Sequence, residues 1–239
     1  VTGEPVFIDN GTAAAVRDLA RTSWSCLVPG CATPISTRGG SKRDHFFHLG
    51  NYHHAATPES QNHLAAKAML AQWAAGQTVD RAVVVEEHAV KNRDTNLDRR
   101  PDVLVTRNSD SHRLALEVEY KQFPVESWQR KQQDFDDEGI ACTWLLGHTR
   151  IRPVSRSDDA DDTRGVTVPL LAKRIAAVHR HVLVVNPVTR EIGTLAGDPD
   201  LTTPIGRYGT VTYLGVDSLA ACSLHPVRGV GHPHDAAHR

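Results

Sequence analysis

RRPDVLVTRNSDSHRLALEVEYK, residues 99–121, reads as two short strands joined by a polar turn. In the second, Leu114, Leu116, Val118 and Tyr120 alternate with Ala115, Glu117, Glu119 and Lys121. Side chains on a strand leave opposite faces in turn, so Glu117 and Glu119 project together from one side. The first strand begins at Pro101-Asp102 and delivers a third carboxylate to the same neighbourhood.

The flanking sequence extends this pair into a sheet. RAVVVEEHAV (81–90) is a β-branched run and reads as a strand, with KNRDTNLDR as the polar turn after it. Downstream of Pro124, VESWQRKQQDFDDEG is an amphipathic helix anchored by Trp128 and Phe135 and ended by Gly139. IACTWLLG (140–147) follows as a buried strand, which the helical crossover sets parallel to its neighbour. Upstream, a helix starts at Pro58 with Thr57 as cap and closes at Gly76, and Glu59, His63 and Lys67 share one of its faces. The expected fold is α/β, a mixed sheet flanked by helices.

Residues 1–55 read as a separate small segment. PVFIDN (5–10) suggests a strand, and TAAAVRDLA a short helix or a second extended piece. Cys26-x4-Cys31 followed by His45-x2-His48 suits tetrahedral Zn2+, each close pair chelating from a turn. Four protein ligands leave no open position for water, so such a zinc is structural. A zinc hydrolase built on His53, His54 and His63 is a weaker idea, because no carboxylate base stands at a recognised spacing.

Residues 56–152 hold the strand pair and its helices, and 153–239 read as an α+β extension. That extension opens with a charged break, RSDDADDTRG (156–165), expected to be a mobile loop. PLLAKRIAAVHR then reads as a helix, HVLVVNPVTREIGTL as a hairpin about Asn186-Pro187, and 210–214 as a further strand. The His-containing tail GHPHDAAHR reads as a disordered end.

Lys plus Arg (27) nearly balances Asp plus Glu (28), so no global basic field advertises nucleic acid, and DNA contact must rest on local patches. No apolar run approaches the roughly 20 residues of a membrane helix, and the pattern suggests a cytoplasmic protein. The four cysteines do not form a disulfide framework.

Two or three carboxylates converging on one sheet face suit Mg2+ or Mn2+ and phosphodiester hydrolysis. Asp102 and Glu117 fit as ligands, with the Val118 carbonyl a natural addition. Glu119, about 6.6 Å further along the face, could bind a second ion or hold the attacking water. Lys121 could return an ammonium to the phosphate, and Glu59 could complete the metal shell from its helix.

Pro101-Asp102 followed by Glu117-Val118-Glu119 resembles the PD-(D/E)XK nuclease signature, with glutamate at the usual lysine position. More specifically, Cys26, Cys31, HFFH (45–48), ESQNHLAAK (59–67), RRPDVLV (99–105), ALEVEYK (115–121) and WLLG (144–147) together resemble the competence protein CoiA-like family. The resemblance implies a restriction-endonuclease-like core with a Cys/His segment before it. It also implies a DNA-processing role linked to competence, recombination or defence, with protein partners in such a complex. It assigns Asp102 and Glu117 to a metal, Glu59 as a helix-borne acidic partner and Arg100 to the phosphate. Arg99, Arg100, Arg130 and Lys131 could line a groove for single-stranded or duplex DNA, and a homodimer would permit double-strand cleavage. In the following helix the chain departs from the family, whose arginine is replaced by Lys131 or displaced to Arg130, and whether Glu119 or Lys121 completes the catalytic set is left open. The alternative is a noncatalytic DNA-binding or assembly module that keeps the fold.

Overall fold

A seven-stranded mixed sheet carries the chain, and the helices that cover it come from both sides of the 99–121 stretch. The structure, a computed structural model, describes residues 6–26, 31–39, 44–50, 61–78, 81–87, 89–92, 97–153, 165–179, 182–195, 211–225 and 228–233.

Helix α1 (Arg17–Ser23) packs on a two-stranded hairpin, β1 (Ile35–Arg38) and β2 (His45–His48). The strand expected at 5–10 is absent: residues 6–9 have no regular structure and a turn follows. The run is short, and among the described residues no strand pairs with it to satisfy its backbone. Helix α2 (Gln61–Gln77) follows, passing through Gly76 instead of stopping there. Next come β3 (Ala82–Glu86) and a second small hairpin, β4 (Val90–Asn92) with β5 (Leu97–Arg99), where the sequence suggested only a turn.

The strand pair itself is β6 (Val103–Arg107) and β7 (Arg113–Glu119), antiparallel with Val103 opposite Leu116. Helix α3 (Val125–Asp137) ends before Gly139, whose φ of +64° lies where glycine carries no steric penalty. It leads into β8 (Ile140–Gly147), parallel to β7, as the crossover argument requires.

The chain beyond 152, expected as an appendage, completes the same sheet. A small three-stranded sheet gathers β9 (Arg152–Pro153), β10 (Gly165–Thr167) and β13 (Val211–Tyr213). Helix α4 (Leu170–His179) returns the chain to β11 (Leu183–Asn186), which lies parallel to β8, and the expected hairpin brings β12 (Glu191–Thr194) back beside it. β14 (Gly215–Ser218) forms the far edge, giving the order β14-β12-β11-β8-β7-β6-β3. A last hairpin joins β15 (Ser223–His225) and β16 (Gly229–Gly231). The loop expected at 156–165 lies almost wholly outside the described residues, and so does the end of the tail from 234.

Both faces of the central strands are buried. Ala66, Met69, Leu70 and Ala74 of α2 pack against Val103, Val105, Leu114, Leu116 and Val118. On the opposite face Trp128 and Phe135 of α3 and Leu171 and Ile175 of α4 pack against Leu104, Ala115, Trp144, Leu146 and Val184. The alternation in β7 therefore does not separate core from solvent. It separates two cores, and Ala115 and Glu117 lie under α3.

Candidate active site and metal centre

Asp102 stands just before β6, one step beyond the Val103–Leu116 pair, so its carboxylate reaches the end of β7. Its Oδ2 accepts the Val118 N–H at 2.8 Å and lies 3.1 Å from His63 Nε2 of α2. The second contact is a hydrogen bond only with the proton on Nε2. The acid is thus fixed to the β7 backbone and to a helix on the other chain segment.

Glu117 is 2% exposed, a buried carboxylate beneath α3. Its Oε2 accepts a hydrogen bond from Lys131 Nζ at 2.6 Å, while Oε1 has no hydrogen-bond partner among the described residues. Burial first and then the nearby charge of Asp102 push the carboxyl up to about 8, and Lys131 only partly offsets them. Burial works against the Lys131 ammonium too, but the charge and hydrogen bond of Glu117 outweigh it and its pKa rises. The Lys131 cation lies 5.7 Å from the Trp144 ring centroid and 5.8 Å from that of Phe135, so aromatic faces shelter it. Next to Trp144, Gln132 Oε1 accepts the indole N–H at 2.7 Å.

Glu119 is half-buried, and burial raises its carboxyl. Its Oε1 accepts the backbone N–H of Lys121 at 2.7 Å, a contact that caps the end of the strand, and the Lys121 side chain is exposed. On the α2 face Tyr120 places its hydroxyl 3.1 Å from His148 Nδ1 and donates to the Val185 carbonyl at 3.2 Å. Gly147 must lack a side chain, because a Cβ there would overlap the Tyr120 ring. Burial lowers the basicity of His148.

The four residues expected to line a groove separate. Arg100 and Arg130 are exposed, Arg99 is held in an ion pair with Asp134 of α3, and Lys131 turns inward onto Glu117. Glu59, expected as a helix-borne ligand, lies outside the described residues, as do His53 and His54. Lys131 lies on α3, beyond the turn that follows β7, and the alternation of the strand carries no information about which way a residue of that helix faces. In the sequence His63 stood out as part of a polar helix stripe and as one of three histidines of the weaker zinc-hydrolase idea. The structure instead shows that it touches Asp102.

The second site lies in the N-terminal segment. Among the described residues, Cys26, Cys31 and His48 place one ligand atom each within 4.8 Å of one another, a group that could hold a metal such as zinc. Cys31 Sγ lies 3.4 Å from His48 Nε2. His45 does not join them. The sequence reading had both histidines chelating from a turn, but residues 45–48 form β2, and on a strand positions three apart leave opposite faces.

With this geometry in place, residues 59–160 match the family model for the competence protein CoiA nuclease-like domain. That segment is similar to a CoiA nuclease-like domain. It contains α2, the β6–β7 pair, α3 and β8, and so every residue of the Asp102–Glu117–Lys131 cluster. The chain is also 29% identical over 144 residues to Competence protein CoiA of Bacillus subtilis (strain 168). That alignment takes in 59% of this chain and 36% of the relative, so the chain spans about a third of the relative's length. The CoiA-like match stops at 160, yet three strands of the central sheet lie beyond it.

Proposed function

We propose that the chain is a metal-dependent nuclease of the PD-(D/E)XK type. It hydrolyses DNA phosphodiester bonds in processing linked to competence, recombination or defence. The observation that carries this reading is Glu117: a buried carboxylate with one oxygen unpartnered among the described residues, beside Asp102 and with an ammonium on the other oxygen. An orphaned buried acceptor is costly, and two neighbouring carboxylates repel, so the pair fits a site for a divalent cation. Asp102 and Glu117 would hold Mg2+ or Mn2+, with Glu59 as a further ligand. When bound, that ion supplies an activated water and neutralises charge on the phosphate.

The chain's own groups then divide the work. His63 and the Val118 N–H hold Asp102 in place. Lys131 brings a positive charge to the cluster from α3, the role that Glu119 cannot fill from the usual lysine position. Glu119 caps the strand through the Lys121 N–H, and Lys121 is exposed, so neither is the first choice for that cation. Arg100 and Arg130 are the exposed cations available to the DNA backbone. Zn2+ on Cys26, Cys31 and His48 would cross-link β2 to the segment before β1.

The test is cleavage of single-stranded and duplex DNA in Mg2+ or Mn2+ by the native protein beside Asp102→Ala, Glu117→Ala and Lys131→Met. Loss of turnover in all three is expected. A noncatalytic DNA-binding module would bind DNA with no metal-dependent cleavage in any of them.

A further inference from the structure

Lys67 is among the largest fully buried side chains of the described residues, 1% exposed, and nothing in the proposed chemistry uses it. It lies one helical turn after His63 on α2, and its ammonium is paired with the carboxylate of Glu87. Glu87 itself is unusual. Its φ is +50°, in the left-handed region that favours glycine. From there its backbone N–H donates to the Asp102 carbonyl at 3.2 Å, one step beyond the Glu86–Val103 pair of β3 and β6.

Burying an ammonium and holding a glutamate in left-handed backbone each cost free energy, and such costs persist where the surroundings over-determine them. Here both costs fall on contacts that converge on Asp102. From α2, His63 contacts its carboxylate directly, while Lys67 fixes the residue that holds its carbonyl.

We propose that the Lys67–Glu87 pair is a positioning device that locks the backbone at Asp102, so that its carboxylate is presented to the cation at the Asp102–Glu117 site. The inference rests on the metal-site reading above and adds two residues to it. Lys67 and Glu87 are positioning residues: they act through the chain on which the Asp102 carboxylate is mounted. Partners one step removed from a metal ligand typically set affinity by about 10- to 100-fold.

The experiment is a calorimetric titration of Mn2+ into the full chain without DNA, so that no turnover is needed. The samples are the native protein, Asp102→Ala, Lys67→Met, Glu87→Gln and the double variant Lys67→Met/Glu87→Gln, each with its thermal midpoint measured in chelator. Asp102→Ala identifies the binding component that belongs to this site. The expected result is that this component weakens about 10- to 100-fold in Glu87→Gln and in the double variant, at a temperature well below their midpoints. The double variant keeps the test usable if Glu87→Gln, which removes the counter-charge of the buried Lys67 ammonium, does not fold. Native affinity in Glu87→Gln and in the double variant, with only the midpoint lowered, makes the pair purely structural and overturns the proposal. Mn2+ binding that Asp102→Ala leaves unchanged overturns the metal-site reading, and this inference with it.

Discussion

At the scale of single residues, the site turns on the fact that Glu117 is buried while Lys121 is exposed. Lys131→Met should lower kcat about 100-fold or more at saturating metal, whereas Lys121→Met should leave it near the native value. Equal effects would return the question to Lys121. The carboxyl of Glu117, pushed up to about 8 chiefly by burial, also sets a pH dependence. Its folded value lies above the ordinary glutamate value of 4.5, so the metal-free protein keeps its stability below that value and loses it as pH rises through about 8. A cation at the site competes with that proton. Mn2+ affinity should therefore climb with pH up to about 8 and then level off, with proton release measurable in two buffers of different ionisation enthalpy. The thiol of Cys222, raised to about 11 by burial, should react slowly with iodoacetamide at pH 8.

At the scale of elements, the sequence located helices and strands well and their faces less well. The α3 helix, the parallel β8 and the hairpin about Asn186-Pro187 were legible because periodicity and turn residues report on local structure. The burial of Glu117 was not legible, since a strand of period two looks the same whether its second face meets water or another helix. His45 shows the same limit: its spacing from His48 resembles a chelating pair until the segment is known to be a strand. His48→Ala or Cys26→Ala should lower bound zinc by elemental analysis, and His45→Ala should retain it. Beneath α3, Gln132→Leu would leave the buried Trp144 N–H without its acceptor. Denaturant unfolding should then show a loss of about 1–3 kcal/mol.

At the scale of the whole molecule, the boundary suggested by composition near residue 152 falls inside the sheet, because β8 before it pairs with β11 after it. Long-range parallel pairing leaves no local mark, and the charged run at 156–165 resembled a division between domains. A chain ending at 152 would expose the edge of β8 and the apolar faces that α4 and β11 cover, and it should fail to unfold cooperatively in denaturant. Among the described residues no helix is long and apolar enough to cross a membrane. The CoiA-like segment therefore contributes the acidic cluster, while β11, β12 and β14 complete the sheet that holds it rigid. The most direct measurement is DNA cleavage by the full chain in Mg2+ and in Mn2+, beside Asp102→Ala and Glu117→Ala. The account predicts metal-dependent cleavage that falls at least about 100-fold in each variant. Cleavage that survives both substitutions, or a folded native protein that binds DNA and cleaves none with either metal, would contradict it.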